Sequence, residues 1–258
     1  MSVMKEATHT KKTDGACSLR GVGLSKRFGQ VQALQGVDIE INRGKVLALV
    51  GDNGAGKSTL IKCLCGVHEA DSGEIEVNDQ KVHLSDPHHA RTLGIATVFQ
   101  ELALVDYRDV ATNVFLGNEP TRFKFFVDKA KMLEKATVAL SQLRVNIPSL
   151  LDEVIHMSGG ERQAIAVARA LAQRADTVIL DEPTAALGVQ QAREVLDVIQ
   201  RLKDEGVGVV VISHNLAHVF SVADDIMVLR HGESVGVKKK SETSSEEIVK
   251  MIVGVAML

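Results

Sequence analysis

Residues 45–65 read KVLALVGDNGAGKSTLIKCLC, and the fold of the chain turns on how this stretch is parsed. Lys45 to Val50 is apolar after its first residue and does not alternate, which reads as a strand buried on both faces at the centre of a sheet. Thr59 to Cys65 reads as helix. Between them Gly51-Asp-Asn-Gly-Ala-Gly-Lys-Ser58 fits G-x-x-x-x-G-K-[ST], a loop whose backbone N–H groups converge on phosphate oxygens at a helix N-terminus. Strand, loop and helix occur in the order the motif requires. Lys57 is therefore expected to bridge the β- and γ-phosphates of a nucleotide, and Ser58 to ligate Mg²⁺ through its hydroxyl. Asp52 reads as an exposed loop residue rather than a catalytic one.

The composition fits such a centre. Of 258 residues 45% are hydrophobic but only 3% aromatic, so the core is built from Val, Ile, Leu and Ala, as suits parallel strands covered by helices. The formal charge of −3 gives no bulk attraction to nucleic acid, and no nucleic-acid partner is expected. Three Cys make no disulfide framework, and Cys63 and Cys65, two apart on a helix, read as packing residues rather than metal ligands. His83, His88 and His89 read as surface. Residues 1–18 lack the apolar stretch of a signal peptide and read as a flexible tail, and no apolar run approaches the roughly 18 residues of a membrane span. A soluble chain with no pore of its own is expected.

Outward from the loop, strands are predicted at Val37 to Ile41, at Glu74 to Val77 as an edge strand, and at Ile95 to Phe99. Helical spacing dominates Asp109 to Leu143, with Val127, Met132, Leu133, Val138 and Leu140 as its apolar positions. Then come a helix from Ser158 to about Arg174, a strand from Thr177 to Asp181, a helix from Val189 to Asp204 and a strand from Val207 to Ser213. Two further strands follow near Ile226 to Leu229 and Ser234 to Val237. Lys238 to Lys240 and the SETSSEE after them read as a solvated turn, and the final segment as a docking helix. The fold class is α/β: a P-loop NTPase core with a mostly parallel central sheet, an antiparallel β subdomain and a helical insertion. Residues 19–258 form one domain, with 19–100 and 158–258 as the nucleotide-binding core and 101–157 as the insertion.

A phosphate loop needs a carboxylate at a neighbouring strand end to hold Mg²⁺, and TVILDE supplies Asp181 and Glu182. Successive residues face opposite ways, so one acid can lie by the metal and the next can polarise a water attacking the γ-phosphate. The stretch MSGGERQ opens another helix. Ser158-x-x-Glu161 is a capping box that has worth as structure alone, but the adjacent Gly159 and Gly160 also let a phosphate approach the exposed N–H groups.

These segments, in this order, resemble an ATP-binding cassette ATPase along nearly the whole chain. The resemblance implies an ATP-binding set of Gly51, Asp52, Asn53, Gly54, Ala55, Gly56, Lys57, Ser58 and Thr59, with Phe28 of Arg27-Phe28-Gly29 stacking on adenine. It also implies that Ser58, Gln100 and Asp181 serve Mg²⁺, that Glu182 is the general base, and that Gln100 and His214 of Ile212-Ser213-His214 sense metal, water and γ-phosphate. Ser158, Gly159, Gly160 and Glu161 would act in trans on ATP held by a second cassette. Three positions depart from the family pattern: Phe28 stands where Tyr is more common, Glu161 where Gln is common, and Gly188 where an Asp is common. LGNEP, DEPTAALGV and GDNGAGKSTLIK resemble monosaccharide importers of the ribose, xylose and fructose type, single-cassette fructose importers most of all. That implies separate membrane permease subunits, a periplasmic or extracellular sugar-binding protein behind them, and a peripheral place on the cytoplasmic face of the membrane. The alternatives are a non-transport cassette, for example in cofactor assembly, and a nucleotide-binding regulator of low turnover.

Overall fold

The computed structural model describes residues 16–123 and 125–254. In chain order its elements begin with a long antiparallel hairpin, β1 (Cys17–Phe28) and β2 (Val31–Asn42), followed by β3 (Val46–Val50) and α1 (Lys57–Leu64). A second small hairpin, β4 (Ser72–Val77) and β5 (Gln80–Val82), leads to α2 (Pro87–Thr92) and β6 (Ile95–Val98). Between β6 and the next long helix come α3 (Val110–Phe115), a short hairpin of β7 (Thr121–Arg122) and β8 (Phe126–Val127), and α4 (Lys129–Gln142). The remainder alternates: α5 (Gly159–Ala172), β9 (Thr177–Asp181), α6 (Val189–Asp204), β10 (Gly208–Ile212), α7 (Leu216–Val222), β11 (Asp225–Arg230), β12 (Glu233–Lys239) and α8 (Ser245–Val253).

Two sheets carry the site. The larger has the order β12-β11-β3-β10-β9-β6, with every neighbouring pair parallel except β11 and β12. The smaller is antiparallel, in the order β2-β1-β4-β5. Side chains of a strand alternate between faces, and the central strands bury both. On β10 the residues Val209 and Val211 join the core under α3 to α6, while Val210 and Ile212 join the core shared with α1 and the antiparallel sheet. β9 divides the same way, Val178 and Leu180 against Ile179. A third core lies under α7 and α8, where Ile248 and Met251 dock the last helix beside Ala48 and Val50 of β3.

Four expectations are corrected. Residues 1–15 lie outside the described residues, but 17 and 18 are not tail: they begin β1, and the buried Ser18 donates to the Ile41 carbonyl at 3.1 Å and accepts from the Thr177 hydroxyl at 2.8 Å. These bonds need β2 and β9 beside it, which local polarity does not reveal. The strand at Glu74 to Val77 is not an edge, because β5 pairs outside it. The stretch from Asp109 to Leu143 is not one helical segment: the β7–β8 hairpin interrupts it, Val127 falls in that hairpin, and Val127 and Val138 are exposed while Met132 and Leu140 are buried. Lys238 and Lys239 belong to β12 rather than a turn, with Lys238 2.9 Å from Glu247 of α8.

Candidate nucleotide-binding site

The parallel register sets the site. Leu49 of β3 lies opposite Ile212 of β10, and Ile212 opposite Asp181 of β9; Val98 of β6 lies opposite Leu180. The residues just beyond these pairs are therefore neighbours at one sheet edge: the loop from Gly51, the Ser213-His214 turn, Glu182, and the Phe99-Gln100 turn. Ligands of open parallel sheets bind outside the carboxyl ends of the strands, and this edge gathers the candidate residues.

Two positions of the loop exclude any side chain. Gly51 has φ 154° and a Cβ there would meet the Leu229 carbonyl oxygen at 2.2 Å; Gly56 has φ 104° and a Cβ would meet the Ala33 carbonyl oxygen at 2.5 Å. Gly56 caps α1 without any side-chain bond, so the first N–H groups of the helix face the loop unclaimed by a cap. Lys57 donates from Nζ to the carbonyls of Gly51 at 2.7 Å and Asp52 at 2.9 Å. Burial lowers its pKa, and the negative charges of Glu182, Asp52 and Asp181 oppose that shift. The opposite happens across the site: burial, then the charge of Glu182, raise the pKa of Asp181 against the pull of Lys57 and Lys62. Ser58 and Asn53 are exposed.

Glu182 sits one residue past β9 at φ 49°, a left-handed conformation that costs a non-glycine residue about 1–2 kcal/mol. Its N–H donates to the Ile212 carbonyl at 3.0 Å, and its Oε2 lies 2.9 Å from Nδ1 of His214. The His214 side chain is 76% exposed and that of Glu182 18%. Phe28 ends β1, 43% exposed, with the His68 ring edge-on at a centroid distance of 5.2 Å and the Lys26 ammonium 5.6 Å from its centre. The hairpin it enters runs beside the loop, since Ala33 is the residue Gly56 approaches. Gln100 is exposed at the end of the β6 turn.

Ser158 to Glu161 stand apart from this edge. They open α5 on a groove of about 780 Å³ that is walled by Arg144, Gly188, Gln191, Glu194 and Arg201 and by no residue of the Gly51–Thr59 loop. The capping box is complete: Glu161 N–H donates to Ser158 Oγ at 3.3 Å, and Ser158 N–H to Glu161 Oε2 at 2.7 Å. Glu161 thus turns back onto its own helix. Gly159 has a second reason to be glycine, because a Cβ would lie 2.6 Å from Leu187 of the loop before α6. Gly188, in place of an acid, caps α6 with a backbone N–H held by Gln191 at 3.3 Å.

Two arginines that motif reading missed tie the segment after Gln100 to α5. Arg162 Nη2 donates to Asp106 at 2.5 Å, and Arg169 donates to the carbonyls of Asn113 at 2.9 Å and Ala103 at 3.2 Å. Arginines seven apart on a helix share a face, and that spacing was the available signal. Cys63 and Cys65 are buried; burial pushes the Cys63 thiol up to about 11, which leaves it an inert packing group.

A glycine loop at a helix start, paired acids at the next strand end but one and a histidine beside them define a phosphate-loop nucleoside triphosphatase. The chain belongs to the ATP-binding cassette family: the family model described as ABC transporter matches residues 34–185, more than half its length. It is 47% identical over 232 residues to the xylose/arabinose import ATP-binding protein of Sulfolobus acidocaldarius, covering 90% of this chain and 92% of that one. Identity to the fructose import ATP-binding protein of Rhizobium meliloti is 41% over 239 residues, with 90% and 92% covered. A ribose import ATP-binding protein of Caldanaerobacter subterraneus subsp. tengcongensis is also 41% identical, and there the chain spans about half of the relative, 47% of its length. Among solved structures, a nucleotide-free cassette from an ABC transporter superposes with a TM-score of 0.79 at 27% identity, over 92% of this chain and 95% of that one.

Proposed function

We propose that the chain is the ATP-hydrolysing motor of a monosaccharide importer, acting on permease subunits that are separate proteins. The observation that carries the hydrolytic part is the convergence of the Gly51–Ser58 loop, Asp181, Glu182 and His214 at the carboxyl ends of adjacent parallel strands, with Glu182 and His214 2.9 Å apart. The sugar assignment rests on relatives named for xylose/arabinose, ribose and fructose import, and their similar identities favour a class of solute rather than one sugar.

In this reading the loop N–H groups and Lys57 hold the phosphates, and Phe28 offers a π face to the adenine. Glu182 accepts the proton of the attacking water, and His214, bonded to that carboxylate, fixes its direction toward the γ-phosphate. The residues suit Mg²⁺: Ser58 offers a hydroxyl, Asp181 a half-buried carboxylate and Gln100 an amide oxygen, all hard oxygen donors. With one carboxylate, one hydroxyl and one amide oxygen from the protein, the rest of an octahedral Mg²⁺ shell would be left to phosphate oxygens and water. Bound there, Mg²⁺ would neutralise charge developing on the phosphate oxygens. Ser158 to Glu161 complete the site in trans from a second cassette. No helix among the described residues is long and apolar enough to cross a membrane. In this reading the chain sits peripherally on the permease subunits, which supply the pore.

The test is phosphate release by the full chain with saturating ATP and Mg²⁺. Glu182→Gln is expected to lower turnover by about 10³-fold while retaining ATP binding. Equal turnover in the two proteins would remove Glu182 as base. Co-purification with permease subunits tests the transport part, and a native complex lacking membrane proteins would overturn it.

A further inference from the structure

We propose that His218 is a positioning residue for ATP hydrolysis, tying the turn that carries Glu182 to the turn that carries His214. The inference rests on the hydrolytic reading of those two residues. Both turns leave neighbouring parallel strands, and the Glu182–Ile212 backbone bond joins them only at their base. Past that bond the first turn holds two non-glycine residues in left-handed backbone, Glu182 at φ 49° and Ala186 at φ 59°. Such conformations persist when the surroundings over-determine them.

The geometry supplies that constraint. Thr184, two residues after Glu182, is buried, and its Oγ1 lies 3.0 Å from Nδ1 of His218. On its other side the His218 ring meets Asn215, whose Nδ2 lies 3.4 Å from Nε2. With the amide donating there, His218 carries its proton on Nδ1 and donates it to the Thr184 hydroxyl. Asn215 also caps α7, its Oδ1 accepting from the His218 N–H at 3.3 Å, and its own N–H donates to Ser213 Oγ at 3.1 Å. Asn215 directly follows His214. The contacts therefore close a ring: Glu182 through the chain to Thr184, across to His218, on to Asn215, back along the chain to His214, and across 2.9 Å to Glu182 again. His214 is mostly exposed and gains little hold from packing, so the ring of contacts is what fixes its backbone relative to the carboxylate.

The experiment is steady-state phosphate release by the full chain carrying Glu182→Gln, His218→Ala, His218→Asn, Thr184→Val, Thr184→Ser, or His218→Ala with Thr184→Val. His218→Ala and Thr184→Val are each expected to lower kcat about tenfold with KM for ATP held within about twofold, as loss of alignment rather than of binding does. The double variant should be no slower than the His218→Ala variant, since either change already opens the ring of contacts at the Thr184–His218 bond. His218→Asn, whose Nδ2 takes the place of the ring Nδ1, and Thr184→Ser, which keeps the hydroxyl, should recover most of the rate. If His218→Ala fails to fold, the Val and Ser variants of Thr184 carry the comparison. Wild-type kcat in His218→Ala, or losses that multiply in the double variant, overturn the proposal while Glu182→Gln remains inactive. Wild-type turnover in Glu182→Gln instead overturns the hydrolytic reading beneath it.

Discussion

Two helix starts in this molecule are rich in glycine, and they are finished differently. At α1 the cap is Gly56 in left-handed backbone with no side chain bonded to the first turn. At α5 the cap is Ser158, and Glu161 closes a reciprocal box over the first turn. The leading N–H groups of a helix lack internal partners and carry its positive dipole end, so the first arrangement leaves an anion site open and the second fills part of it from within. In the proposed reading, the start that would hold phosphate through its own loop has no side-chain cap, and the start that would meet phosphate only across a dimer keeps one.

The largest way to break this contrast is Lys57→Ala. ATP affinity measured by calorimetry is expected to fall by at least about 100-fold, close to 3 kcal/mol, whereas Ser158→Ala leaves the monomer's affinity unchanged and impairs ATP-driven dimerisation in light scattering. Equal losses of affinity in the two variants would make the starts equivalent. Next comes Gly56→Ala, which combines φ 104° with a backbone oxygen 2.5 Å from the new Cβ; about 2 kcal/mol of stability should be lost in urea unfolding. Ser158→Ala should cost about 1 kcal/mol in the same assay, the ordinary worth of a cap, and no loss there would mean the box is not what holds α5. The smallest effect belongs to the acids facing Lys57. The folded-state pKa of Asp181 is raised, so ionising it works against the fold above the ordinary carboxylate range and that cost vanishes as pH falls below it. Asp181→Asn should therefore raise the melting temperature of the nucleotide-free chain by about 2 °C at pH 7, with the gain gone at pH 3. A gain that grows on acidification would reverse the sign of the coupling.

Motif reading went furthest where chemistry is local. The strand, loop and helix around residues 51–59, the strand ending in Asp181 and the Ser158 cap were legible because tight turns, buried strands and capping demand particular residues at fixed short spacing. It went less far in the insertion, where one apolar period was read across Asp109 to Leu143 although Phe126-Val127 turns back against Thr121-Arg122. A hairpin with two residues per strand is too short to show alternation. It failed at residues 17 and 18, whose polarity suits a tail, and at Lys238 and Lys239, whose strand pairs only because β11 is beside it. Thr184 and His218 carried no signal, since their contact joins two elements.

The order of strands around a sheet is decided by which hydrophobic faces find cover, and no spacing along the chain encodes it. The chain alone determined that a phosphate loop, two acids and a histidine exist, and that a buried parallel sheet carries them, because an unbroken VLALV has no exposed face to offer. Tertiary structure decided that β10 lies between β3 and β9. That placement, through the register of Ile212 against both Leu49 and Asp181, brings His214 within 2.9 Å of Glu182.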